Sequence, residues 1–70
     1  MDYRQGVRKS FAAAYNFWEK HRGAKTKEQF RAMYAEAAEL GKEDSLLSDL
    51  LVAVCGEIAR EYRERENIAS

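Results

Sequence analysis

Lys20-His21-Arg22-Gly23-Ala24-Lys25-Thr26-Lys27-Glu28-Gln29 contains, within a few turns of chain, the stop signal of one helix and the start signal of the next. His21 and Arg22 place cations where a helix C-terminus favours them, and Gly23 suits the left-handed position just past the last turn. Thr26 precedes Gln29 by three residues, the spacing of a capping box, in which the threonine side chain accepts from the third helical N–H and the glutamine reaches back. A corner between two helices is therefore expected here.

Working outward from this corner, apolar residues recur at helical spacing on both sides. Toward the N-terminus, Tyr3, Val7, Phe11, Ala14, Tyr15 and Trp18 fall on one stripe, with Lys9, Asn16 and Lys20 opposite. They predict a helix over 2–22, capped by Asp2, whose charge suits the positive end of the helix dipole. Toward the C-terminus, Phe30, Met33, Tyr34, Ala37 and Leu40 form the apolar face of a helix over 27–40, which Gly41 ends as Gly23 ended the first. Asp44 or Ser45 then caps a third helix over 45–65, with Leu47, Leu50, Leu51, Val54, Ile58 and Tyr62 on its stripe and Leu46 and Cys55 beside it. No proline interrupts the chain.

Short connections between three helices favour an all-α, up-down-up three-helix bundle in which the first and third helices run parallel. The expected organisation is one domain, 1–66, followed by a flexible C-terminal tail, 67–70, beyond the charged run Arg63-Glu64-Arg65-Glu66.

Seventy residues lie near the lower limit for a single apolar core, and such scaffolds commonly carry a staple. One cysteine, Cys55, cannot form an internal disulfide, and one histidine, His21, cannot repeat the Glu-x-x-His pattern of metal-binding bundles. No bound metal or cofactor is expected. Self-association is the remaining staple. The longest apolar run, Leu50 to Cys55, is far too short to span a bilayer, so no membrane partner is expected. A free cysteine and an N-terminus without an apolar h-region point to a cytoplasmic location.

The net charge is zero but unevenly placed: residues 1–35 carry eight bases and three acids (+5), and residues 36–70 carry four bases and nine acids (−5). The basic segment from Lys20 to Arg31 is one candidate site. A helix-turn-helix-like corner could present Lys20, Arg22, Lys25, Lys27, Gln29 and Arg31 to nucleic acid. Glu28, Glu36 and Glu39 on the same helix, and the lack of net positive charge, argue for a plain helix corner. A second candidate is a carboxylate–imidazole cluster of His21, Glu57 and Glu61, weighed against a core that simply ends at Ile58 and Tyr62.

The third candidate is the back of helix 3. Val52, Ala53, Gly56 and Ala59 lie opposite its core stripe, where a monomer's surface helix should be charged. Gly56 within a helix costs about 1 kcal/mol relative to alanine, which invites a packing reason. Phe17, about 100° off the helix 1 stripe, would add an exposed aromatic anchor unless it tucks against helix 2. No nucleophile–base–orienter set or phosphate-cradling loop is visible, so no enzymatic activity is expected. The expected function is a protein–protein interaction module that forms a homodimer through helix 3, or binds another helical protein. Nucleic-acid binding by Lys20–Arg31 is the alternative.

Overall fold

A computed structural model describes residues 3–69, in which three helices follow one another: α1 (Tyr3–His21), α2 (Lys27–Leu40) and α3 (Ser45–Ala69). They pack as a three-helix bundle in which α3 contacts both other helices. Direction follows from the contacts at each end. Ser10 of α1 bonds Asp44 at the start of α3, and the Arg22 carbonyl just after α1 meets Arg65 near the end of α3, so these two helices run parallel. Phe30 lies edge-on to Tyr62 at 5.5 Å while Gly41 abuts Ser48, so α2 runs the opposite way.

The capping box forms as its spacing requires: Gln29 N–H donates to Thr26 Oγ1, and Gln29 Oε1 accepts from the N–H groups of Thr26 and Lys25. Asp44, not Ser45, caps α3, with Oδ1 accepting from the Leu47 N–H at 3.1 Å. The cap expected of Asp2 lies outside the described residues. The third helix continues to Ala69, four residues past the boundary expected from its charges, and Ser70 lies outside the described residues. Glu61 and Arg65 at i, i+4 are in the favourable order for an exposed helix, which helps that charged segment stay helical.

Both glycine stops act differently from the expectation. No described glycine has a positive φ. After α1 the chain turns through an Ala24 N–H to His21 carbonyl bond, and Ala24 is buried beneath the corner. Gly41 stays right-handed (φ −84°, ψ −3°). Its role is proximity: a Cβ there would sit 2.9 Å from Ser48 Cβ and 3.0 Å from Ser48 Cα. The missing side chain lets the end of α2 lie directly on α3.

The core comprises Ala14, Phe17, Ala24, Met33, Leu47, Leu51, Cys55 and Ile58, with Ala13, Trp18, Phe30, Ala37, Leu50 and Val54 packed around it. The α3 stripe is buried much as its spacing predicts. That of α1 is not. Its buried residues are Ser10, Ala14 and Phe17, a line turned roughly 60° from the expected stripe at 100° per residue. Tyr3, Val7, Phe11 and Tyr15 are exposed instead. The cause is size and register. Ser10, Ala13 and Ala14 let α1 approach closely, and Phe17 fills the space at the centre. Because α3 begins level with Ser10, the first two turns of α1 project past it and Tyr3 and Val7 have no neighbouring helix to cover them. Phe17, with 2% of its surface accessible, is therefore a core residue and not the exposed anchor expected of it. In α2, Tyr34 and Leu40 are likewise exposed, leaving Met33 as its one fully buried residue.

Candidate interaction surface

The outer face of α3 is open. Val52 is 71% exposed, Ala53 and Gly56 are exposed, and Ala59 is half-buried. A Cβ placed at Gly56 would meet no atom within 4 Å, so nothing inside the chain calls for glycine there. Polar residues break up the same face: Asp49, Arg60 and Arg63 fall between the apolar positions, and Arg60 forms an ion pair with Glu57 that raises the guanidinium pKa.

Two shallow apolar grooves flank this face. One runs between α2 and α3, lined by Tyr34, Ala37, Ala38, Val52, Cys55 and Gly56 among others. Its floor is low because alanine and glycine carry little side chain. Cys55 lies deeper, and burial pushes its thiol pKa up, so it stays protonated and unreactive. The other groove runs between α1 and α3, lined by Phe11, Ala14, Tyr15, Trp18, Leu50, Ala53, Val54 and Glu57. Phe11 and Tyr15, 54% and 59% exposed, form its rim. Tyr15 and Trp18 rings sit 5.8 Å apart, and the Arg22 guanidinium lies 4.6 Å over the Trp18 ring. The Tyr15 hydroxyl donates to Glu19, which raises the phenol pKa. The apolar residues of α1 are legible from their spacing, but their exposed position is not. The small residues Ser10, Ala13 and Ala14, one turn apart, were the available signal that a closer-packing face existed.

Two polar contacts position the helices that form these grooves. The Ser10 hydroxyl donates to Asp44 Oδ2 at 2.5 Å, tying the middle of α1 to the cap of α3. The hydroxyl has one proton, and the short carboxylate contact takes it in preference to the Gly6 carbonyl at 3.1 Å. This bond, then the Leu47 N–H, holds the Asp44 carboxyl below its usual range. At the other end, Glu36 of α2 receives Lys20 and His21 from α1, the His21 Nε2 at 2.9 Å. Helical side chains lean toward their own N-terminus, so those on antiparallel helices lean toward one another and can meet. Lys20 and then His21 depress the Glu36 pKa.

The remaining sequence candidates are dispersed. His21 pairs with Glu36, and its ring lies 4.5 Å from that of Phe17; Glu57 pairs with Arg60, and Glu61 lies with Arg22, Glu64 and Arg65 at the far end of the bundle. His21, Glu57 and Glu61 are not brought together. Among the described residues no group of three or more His, Cys, Asp or Glu side chains is placed to hold a metal, and no helix is long and apolar enough to cross a membrane. In the basic corner, Lys20 is engaged by Glu36, Arg22 lies over Trp18, and the Gln29 carbonyl is taken up by the capping box. Lys25, Lys27 and Arg31 are exposed. No protein-family model matches this sequence, and no curated protein or solved structure matches it.

Proposed function

We propose that this chain is a non-enzymatic helical interaction module that associates with itself, with α3 at the contact. The observation that carries this reading is the open outer face of α3, where Val52 is 71% exposed beside Ala53 and Gly56. Exposed apolar residues scattered singly need no explanation, but here they adjoin grooves on both sides. A small chain gains disproportionately from association, because its own core buries a small share of its surface. The lack of a side chain at Gly56 permits close approach of a second helix.

The test is mass. Sedimentation or light scattering from micromolar to millimolar concentration should give twice the chain mass, and Gly56→Arg, which has open space in the single chain, should return one chain mass while leaving the fold intact. A monomer throughout the range would overturn the proposal. Salt-sensitive duplex binding lost in Lys25→Glu/Lys27→Glu would favour the basic corner instead.

A further inference from the structure

We infer that two copies of α3 pair antiparallel about a two-fold axis at Gly56, with Asp49 of each copy against Arg63 of the other. This inference rests on the self-association proposed above and gives it an orientation and a register. Two observations carry it: where Gly56 lies on the open arc of α3, and how charge is spaced about it.

Along its 25 residues α3 is covered by α2 on the side of Cys55 and by α1 on the side of Leu50. At 100° per residue, Gly56 lies about 100° from Cys55 and about 120° from Leu50, close to the middle of the arc left open. Nothing in the chain lies within 4 Å of where its Cβ would stand. Ala53 and Ala59 are each three residues from it, so a second helix can lie close along this line. Val52 and Arg60 are each four residues from it. In an antiparallel pairing centred on Gly56, the methylene stem of one copy's Arg60 therefore covers the exposed Val52 of the other.

Asp49 and Arg63 are each seven residues from Gly56. Seven residues bring a helix back to within about 20° of the same direction, so the three lie nearly in line. Both charges are exposed, and among the described residues neither side chain has an ion-pair or hydrogen-bond partner. Along the helix they are about 21 Å apart, too far to meet within one chain. Their neighbours do not cancel them. Glu57, Glu61, Glu64, Arg65 and Glu66 are turned roughly 80° or more from the Gly56 line. Arg60 is held by Glu57, Lys42 pairs with Glu39, and Asp44 turns inward to Ser10. Reversing one helix about Gly56 carries Asp49 onto Arg63 and Arg63 onto Asp49, so the interface contains the same charge match twice. A parallel pairing would instead set Asp49 against Asp49 and Arg63 against Arg63. Sliding the antiparallel helices by one turn would separate both pairs by about 5 Å. Orientation and register are thus fixed by the same two residues.

Sedimentation equilibrium of the full chain and its variants tests this pairing. Asp49→Arg and Arg63→Asp each turn two attractions per dimer into two repulsions, and each should weaken the dimer about tenfold. Asp49→Arg/Arg63→Asp restores both pairs in the reverse sense and should return the dimer constant to that of the wild type. Asp49→Arg/Lys25→Asp carries the same net charge with its second exchange at the corner between α1 and α2, and should stay weak. All three positions are exposed, so circular dichroism should show the same fold in every variant. If the single exchanges leave the dimer constant unchanged, if the paired exchange fails to restore it, or if Asp49→Arg/Lys25→Asp restores it equally well, this pairing is wrong. Loss of the dimer in Gly56→Arg would in that case keep self-association through α3. A wild-type chain that stays monomeric at millimolar concentration overturns both and leaves the face to a different occupant.

Discussion

Gly6 and Gly56 make a matched pair of probes. Both lie inside helices, and an added Cβ at either would meet nothing within 4 Å. In an isolated chain, replacing each by alanine removes backbone freedom from the unfolded state and should stabilise by about 0.5–1 kcal/mol. For a domain of this length that raises Tm by roughly 2–8 °C. Gly6 lies in the first turns of α1 and should show the smaller gain, since helix ends fray. If a second copy packs closely on the outer face of α3, Gly56→Ala places a methyl group into that contact, and overpacking costs about 1–3 kcal/mol. The two variants then separate with concentration. At low micromolar chain, where the monomer dominates, both should melt above the wild type. At millimolar chain, where association adds stability by mass action, the gain from Gly56→Ala should shrink or change sign while that from Gly6→Ala persists. Thermal melts followed by circular dichroism across this range provide the assay. A Gly56→Ala gain that is the same at every concentration would refute close packing on that face.

Other substitutions probe the fold itself. Phe17→Ala removes the aromatic at the centre of the core and should cost about 3–5 kcal/mol, enough to leave a chain this small largely unfolded by circular dichroism. Gly41→Ala should lower Tm, because its Cβ would press on the backbone and side chain of Ser48, whereas Gly23→Ala, with no atom within 4 Å and no positive φ, should not. A thiol reagent should label Cys55 only as fast as the chain opens, and labelling at the rate of a free thiol in the native protein would contradict its burial. Glu36 has its carboxyl depressed below the ordinary 4.5 in the folded chain by Lys20 and then His21. The unfolded chain therefore binds the proton first, so the stabilisation is present above about pH 4.5 and is lost as pH falls through the folded value. With Lys20 mostly exposed, the effect should be under about 1 kcal/mol, and Glu36→Gln should flatten the acid limb of a Tm-against-pH curve.

Local chemistry in the sequence determined the number of helices, their order and most of their ends. The Thr26–Gln29 box, the Asp44 cap and the 3.6-residue spacing of Leu47, Leu51 and Ile58 act over one or two turns, and such signals do not depend on distant residues. The open outer face of α3 was also legible, because a helix apolar nearly all round cannot be covered by two neighbours. Tertiary structure decided which side of α1 faces inward. Spacing marks where large apolar residues recur, but packing selected the line of Ser10, Ala14 and Phe17, since small residues permit close approach and one aromatic fills the centre. The same holds for Gly41, whose role depends on Ser48 of another helix, and for Glu36, which gathers Lys20 and His21 only after α2 folds back along α1. Contacts between helices depend on register and side-chain volume together, and neither is specified until all three helices are in place.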